Sequence, residues 1–363
     1  PLHPQSLLRR NAGLAEAEEA LRVERTRFFF NRRGRRSFWA TAATPGGLFS
    51  PYRDRFYQGA TIVPRALWFV EIQTSPLGFT PGSPPLRTAR RALEEAKDAY
   101  RDLVMEGNVE ARFLYATLLS TDLVPFGHLD YRLVVLPIEP EGDHYRMLTA
   151  EEARKRGFLG LAKWLERAQA EWARRRGLKA ERMSICERLD HVRGLTRQNP
   201  QAKYRVTYPD INRVMFAVVV RTDEPIQMQI GGQGICVGGY VTDCKNYCCE
   251  TDSEEEAYYL CAVLNSPVVD AMLRPFRRRE QRGHPDVHKK VFDVAPIPLF
   301  NSSQEEHRRL AELGRACSEK VARWLAEARP EGRSIGPLRA AVRDLLRAEL
   351  AEIDACAREI VVM

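Results

Sequence analysis

Apolar and polar positions alternate along Tyr204–Tyr240 in the manner of a β-meander, through the runs YRVTY, VMFAVVVR, PIQMQI and ICVGGYV. Elsewhere the period lengthens. Phe158, Leu161, Leu165, Ala168 and Trp172 fall at helical seam spacing behind the capping pair Thr149 and Glu152. This predicts one long helix or a bent pair over residues 149–177, with Gly157 and Gly160 weakening its first half. Leu310, Leu313, Cys317, Val321, Trp324 and Ala328 repeat at a period of about 3.5. Leu338, Val342, Leu345, Leu346, Leu350, Ile353 and Ile360 do so again after breaks at Gly332 and Gly336-Pro337. Long helices are expected there, as a hairpin, as a seam for a partner helix, or packed on their own domain.

The other segments are shorter. Residues 1–50 read as a helical stretch, AEAEEALRVERTRFFF, followed by a basic, aromatic loop. Gln58–Gln73 is rich in β-formers, and Pro64 marks an edge strand or a bulge. A helix fits Thr88–Glu106, with Gly107 just past its end, and a second fits VEARFLYATLLS from Val109. Tyr131–Glu139 reads as a strand and EEEAYYLCAVLN, from Glu254, as a helix. Together these predict an α+β fold: a mixed sheet with flanking helices, then long C-terminal helices.

With 363 residues and 44% hydrophobic content, the chain has the means to build two or three compact units, or one large domain with a helical appendage. No run approaches the length of a membrane span. The opening PLHPQSLLRRNAGL has neither the apolar centre nor the cleavage site of a signal peptide, and without an initiator Met it reads as a processed chain or a piece of a longer one. The eight cysteines are scattered, so free thiols in a reducing cytoplasm are expected. A net charge of +8 and a pI near 9.1 suit an anionic partner.

Several catalytic patterns fail on inspection. Gly231–Gly239 (GGQGICVGG) follows a strand, but a cofactor loop needs a helix next, whose N-terminus faces the anion; here another β-type run follows. Ser83-Pro84-Pro85-Leu86 lacks the aromatic residue with which amino-methyltransferases stack a flipped base, and reads as a loop. Cys236, Cys244, Cys248 and Cys249 cluster without a C-x-x-C pair, so no structural zinc is expected. Glu95-Ala96-Lys97 could be forced into a nuclease pattern but reads as an ordinary mid-helix charge pattern. No catalytic residue, metal or cofactor is therefore assigned, which favours a recognition module over an enzyme.

The informative stretch is AVLNSPVVDAMLRPFRRREQRGHPDVHKKVFDVAPIPLFN, Ala262 to Asn301. A helix stops at Asn265-Ser266-Pro267, and a new turn begins at Pro267, where the missing N–H costs nothing. Val268, Val269, Met272 and Leu273 would anchor that turn in the core. Arg274, Arg277, Arg278, Arg279, Arg282, Lys289 and Lys290 then arrive within seventeen residues, opposed only by Glu280 and Asp286. Gln281, His284 and His288 add hydrogen-bonding groups, and Gly283 with Pro285 makes a loop. Arg and Lys neutralise phosphates, while Arg, Gln and His also reach base edges, so duplex DNA is the favoured partner over a solvated arginine-rich surface.

This stretch also carries a resemblance. YYLCAVLNSPVVDAML, a Gly-containing basic loop, HKKVFDVAPIPLF and the helix beginning near EEHRRLAEL together resemble the target-recognition regions of adenine-specific DNA methyltransferases of the type IIG restriction-modification kind. They are more distantly similar to the specificity subunits of type I restriction systems. GATIVPRALWFVE resembles the strand that opens such a recognition domain, VPFGHLDYRLVVLPIE its middle, and LRAELAEIDACAREIV the usual C-terminal helix. The resemblance covers residues 50–363. It implies a recognition domain over 51–300, a helical spacer over 301–363, and an N-terminal helical or linker segment over 1–50. It also implies double-stranded DNA as partner and a methyltransferase domain or subunit elsewhere, which uses S-adenosylmethionine on a flipped adenine. Gly283, His288 and Lys289 match the loop that the family places against DNA, and Asn265, Ser266 and Pro267 match its turn. Arg65 matches the opening Pro-Arg, as a DNA contact or a core salt bridge. Two other readings stay open: an enzyme with a diverged catalytic motif, and a helical protein-binding scaffold with a basic surface.

Overall fold

The computed structural model describes residues 49–74, 78–230, 232–276, 287–328 and 334–361, with shorter pieces ahead of residue 41. From residue 49 on, apart from the two-residue pair Leu123–Val124 and Gly127–His128, its strands in chain order are β1 (Tyr57–Gln58), β2 (Phe69–Ile72), β3 (Pro85–Thr88), β4 (Glu106–Asn108), β5 (Leu114–Thr117) and β6 (Arg132–Val135). The hairpin β7 (Ile138–Glu141) and β8 (His144–Met147) follows, then β9 (Tyr204–Pro209), β10 (Val218–Arg221), the hairpin β11 (Gln227–Ile230) and β12 (Gln233–Cys236), and β13 (Asn246–Thr251). One antiparallel sheet runs β4-β3-β2-β6-β5 and a second runs β10-β9-β13-β1. With the long helices at the C-terminus, the fold is α+β.

The second sheet is a wall between two cores. Successive side chains of a strand point to opposite faces, and on and just before β10 Phe216, Val218 and Val220 pack into the first core while Ala217 and Val219 pack into the second. The first core holds the five-stranded sheet and the helices α1 (Ala150–Lys155) and α2 (Leu159–Arg175). Thr149 caps α1: the Glu152 N–H donates to its hydroxyl at 3.1 Å, and its own N–H donates to the Glu152 carboxylate at 2.8 Å. Gly157, at φ +82°, separates the two helices, so the bent pair is the form adopted.

The second core is built around α3 (Glu254–Asn265), where every residue from Ala257 to Asn265 is buried. Asn265 ends it by donating to the carbonyls of Ala217 and Cys261, both at 2.8 Å. Ser266 then caps α4 (Pro267–Leu273), with Pro267 at the first helical position. After α5 (Lys290–Val294), the long α6 (Glu305–Ala328) lies so close on α3 that a Cβ at Gly314 would come within 2.2 Å of the Tyr258 carbonyl oxygen. Leu310, Leu313, Cys317 and Val321 therefore fill this chain's own core, with α7 (Ile335–Leu345) and α8 (Arg347–Val361) packed beside them. Of the three arrangements open from sequence, packing on the chain's own domain is the one adopted at these positions.

Several local expectations are corrected. Thr88–Glu106 is not a helix: its ends are hydrogen-bonded to each other, Thr88 N–H to the Met105 carbonyl at 2.8 Å and Met105 N–H to the Thr88 hydroxyl at 2.7 Å. A continuous helix would set them roughly 27 Å apart. Only residues 90–94 are α-helical, so Glu95-Ala96-Lys97 lies past a helix end. Leu114–Thr117 is a strand buried on both faces, which leaves no alternation to read. Arg65–Trp68 forms one helical turn after Pro64, and the following β2 is the central strand of its sheet, not an edge. Ser83-Pro84-Pro85-Leu86 runs into β3, with Leu86 buried. Ahead of residue 41, Leu21–Val23 is a strand where a helix was expected, and Phe29–Arg33 pairs with Arg36–Ala40.

Candidate nucleic-acid interface

Of the residues proposed to touch DNA, Arg277, Arg278, Arg279, Gln281, Arg282, Gly283 and His284 lie outside the described residues. Both ends of their segment are described, and both are buried: Phe276 on one side and Val287 on the other belong to the second core. Val268, Val269 and Leu273 are buried as expected, and Met272 is half-buried against the same core. Arg274 is exposed and pairs with Asp270 at 3.2 Å, which also accepts the Met215 N–H at 2.6 Å.

The far end is held more tightly. The Val287 and His288 N–H groups both donate to the Asp210 carbonyl, at 2.8 and 3.3 Å, and the Tyr208 hydroxyl donates to the His288 carbonyl at 2.7 Å. These bonds hold His288 at φ +42°, where few non-glycine residues lie. The imidazole stands edge-on to Tyr247, with centroids 6.0 Å apart, and Tyr247 stacks on Tyr208 at 5.6 Å. Lys289 and Lys290 follow at the start of α5, half-buried.

Two cations that sequence reading missed, Arg53 and Arg197, stand beside this end. Arg53 precedes β1 and reaches α5 through an ion pair with Asp293 at 2.6 Å. Arg197 is exposed and lies over the Tyr57 ring, its guanidinium carbon 4.1 Å from the centroid. The Arg197 segment is pinned on each side. Asp190 accepts the N–H groups of Leu195 and Thr196 and the Thr196 hydroxyl, and the Gln198 amide donates to the carbonyls of Gly194 and Thr242. A Cβ on Gly194 would come within 2.5 Å of the Gly59 carbonyl, so this segment reaches β1 only without a side chain there. No local pattern in sequence links Arg53, Arg197 and Lys289, because tertiary packing alone brings them together.

Arg65 has its charge engaged. It pairs with Glu95 and lies over Phe69 at 5.9 Å, in a network with Arg91, Arg132 and Asp122. Its field reaches the buried Asp243, where one carboxylate oxygen accepts the Lys245 N–H at 2.8 Å and the other has no partner. Burial pushes the Asp243 carboxyl up to about 6, against the pull of that N–H and of Arg65. The folded value stands above the unfolded one, so the folded chain holds this proton where the unfolded chain has lost it. Its stabilising effect is full below the unfolded value and disappears as pH rises through about 6. At neutral pH the ionised group costs about 3 kcal/mol. Asp243→Asn is therefore expected to gain stability relative to wild type as pH rises from about 4.5 to 7.5, read by urea unfolding at both ends. A difference independent of pH would remove Asp243 from that role.

A cleft of about 1490 Å³ lies between the first sheet and α6, and its arginines Arg91, Arg132 and Arg221 are all paired with carboxylates, so it does not suit phosphate. Its apolar floor includes Val70, Leu133 and Met228, its rim carries Glu71, Asp130 and Glu319, and its Arg132 is tied to Asp122. Among the described residues no group of three or more metal-ligating side chains gathers, and no helix is long and apolar enough to cross a membrane. Gly232–Cys236 forms part of the β11–β12 hairpin.

No family model matches the chain, and no curated protein does. Among solved structures it is similar to the type IIL restriction-modification enzyme MmeI in complex with DNA, with a TM-score of 0.48 and 10% sequence identity. The match covers 88% of this chain and 34% of that one, so the chain spans about a third of that enzyme's length.

Proposed function

We propose that the chain is a sequence-specific duplex-DNA recognition module of an adenine (N6) DNA methyltransferase or restriction-modification system. One observation carries the reading: the basic run Arg274–Lys290 is anchored in the second core at buried Phe276 and at buried Val287, beside His288 at φ +42°. A segment whose two ends are already ordered loses less entropy on binding. Arg274, Arg277, Arg278, Arg279, Arg282, Lys289 and Lys290 would neutralise phosphates, with Gln281, His284 and His288 within reach of base edges. The motif resemblance points the same way. It also assigns S-adenosylmethionine and the methyl transfer to a catalytic domain or subunit, with residues 51–300 recognising the target and 301–363 acting as spacer.

The test is equilibrium binding to a randomised duplex pool at several salt concentrations. The expected result is enrichment of one short motif containing adenine, with log K falling linearly in log salt by about 0.9 per phosphate contacted. Absence of binding, or affinity indifferent to salt, would overturn the reading.

A further inference from the structure

Arg53, Arg197 and Lys289 come from three distant parts of the chain and meet near Val287: Arg53 pairs with Asp293 on the helix that Lys289 begins, and Arg197 lies over Tyr57, four residues after Arg53. Cations repel, and a protein surface gathers them at a cost unless an anion is to be held. Arg53 is neutralised within the fold by Asp293, at 2.6 Å, and Asp54, at 3.5 Å. Among the described residues, neither Arg197 nor Lys289 makes an ion pair. The Lys289 ammonium is half-buried, and burial, then repulsion from Arg53 and from Arg197, hold it below the usual lysine range.

The two unpaired cations are also held in place. Arg197 lies over Tyr57, between residues fixed by Asp190 and Gln198. Lys289 follows His288, whose backbone is clamped by Asp210 and Tyr208. Tyr57, over which Arg197 lies, comes four residues after Arg53, and Arg53 is tied to Asp293 one turn along α5 from Lys289, so one short segment leading into β1 adjoins both cations. An arginine held over a ring is restricted in its motion, and its planar N–H fork can meet phosphate oxygens in pairs.

We propose that Arg197 and Lys289, backed by Arg53, form a phosphodiester-binding site on the rim of the second sheet, which grips the DNA backbone next to the bases read by the 277–286 segment. The site rests on the reading of the chain as a DNA-recognition module and adds to it a fixed anchor that carries no sequence information. Neutralising both cations should weaken binding to every duplex alike and leave the preferred motif unchanged.

The experiment compares wild type with Arg197→Gln, Lys289→Gln and the double variant, on the enriched duplex and on an unrelated one, across a salt series. Each single change should reduce the slope of log K against log salt by about 1, and the double change by about 2. Both duplexes should lose affinity by the same factor, and urea unfolding should show all variants folded. If wild type binds with its full salt slope and the variants match it, the anchor is wrong and the recognition reading survives. If the variants shift the preferred motif instead, these residues read bases and the anchor is equally wrong. If wild type binds no duplex, the reading and the anchor fall together.

Discussion

Changing Arg277, Arg278 and Arg279 together to Glu is expected to weaken binding to every duplex by on the order of a hundredfold or more at about 100 mM salt. Three guanidiniums within a run of seven cations each displace condensed counterions when they meet phosphate, and carboxylates in their place add repulsion to that loss. The fold should be indifferent, because the anchors of the run, Phe276 and Val287, are untouched and stay buried in the second core. Unfolding midpoints should therefore coincide with wild type while the salt slope falls by about 3. Unchanged affinity would take this segment out of the DNA site. Substituting Gln281 or His288 should act differently, shifting the preferred base pair by about 1–3 kcal/mol with little effect on unrelated duplexes. An unaltered preference would deny both a reading role.

What could be read in advance follows from how far each signal reaches along the chain. Ser266 and Pro267 announce a helix start with two adjacent residues, and Thr149 with Glu152 does so with a pair three apart; both starts form as expected. The seams of α6, α7 and α8 were legible as helices. Their partner was not, since period alone says that a stripe is covered and not by what; α3 covers it, more than forty residues earlier in the sequence. Leu114–Thr117 was misread because a strand buried on both faces has the apolar density of a buried helix. The split of the meander into a shared wall (β9 and β10) and a separate hairpin (β11 and β12) depends on which strands pair, information carried by long-range contacts. The site divides in the same way. The arginine run is local and visible, whereas the Arg197–Tyr57 contact depends on Gly59 and Gly194 letting two backbones approach. Arg65, which sequence left between two roles, is held by Glu95.

Glu250→Ala should be the most damaging single change in the described fold, costing about 3–5 kcal/mol. Arg205 and Glu250 face each other across β9 and β13, and the Arg205 side chain is 1% exposed. Each nitrogen of its guanidinium has an acceptor: Nε donates to Glu250 at 3.2 Å, one terminal nitrogen to the Asn199 carbonyl at 2.6 Å, and the other to the Thr222 hydroxyl at 3.2 Å, with Tyr240 lying 5.6 Å beneath. Removing the carboxylate leaves a buried cation with neutral partners only, in the sheet that both cores share. Glu250→Gln keeps an acceptor for the Asn199 N–H, now 3.0 Å from the carboxylate, and should cost less. Replacing both residues with apolar ones of similar volume should recover much of the loss, since a buried pair contributes little over a well-packed apolar one. Urea unfolding of the two singles and the double measures the coupling, and a Glu250→Ala cost under about 1 kcal/mol would show that water or another group compensates Arg205. The damage should also reach the DNA surface. Asn199 hangs between Arg205 and Glu250, two residues beyond Arg197, so loosening the pair frees the segment that holds Arg197 on Tyr57. Duplex affinity measured well below the unfolding midpoint should fall in Glu250→Ala and stay near wild type in Glu250→Gln. Equal loss in both would mean that the charge, and not the tether to Asn199, is what the DNA surface requires.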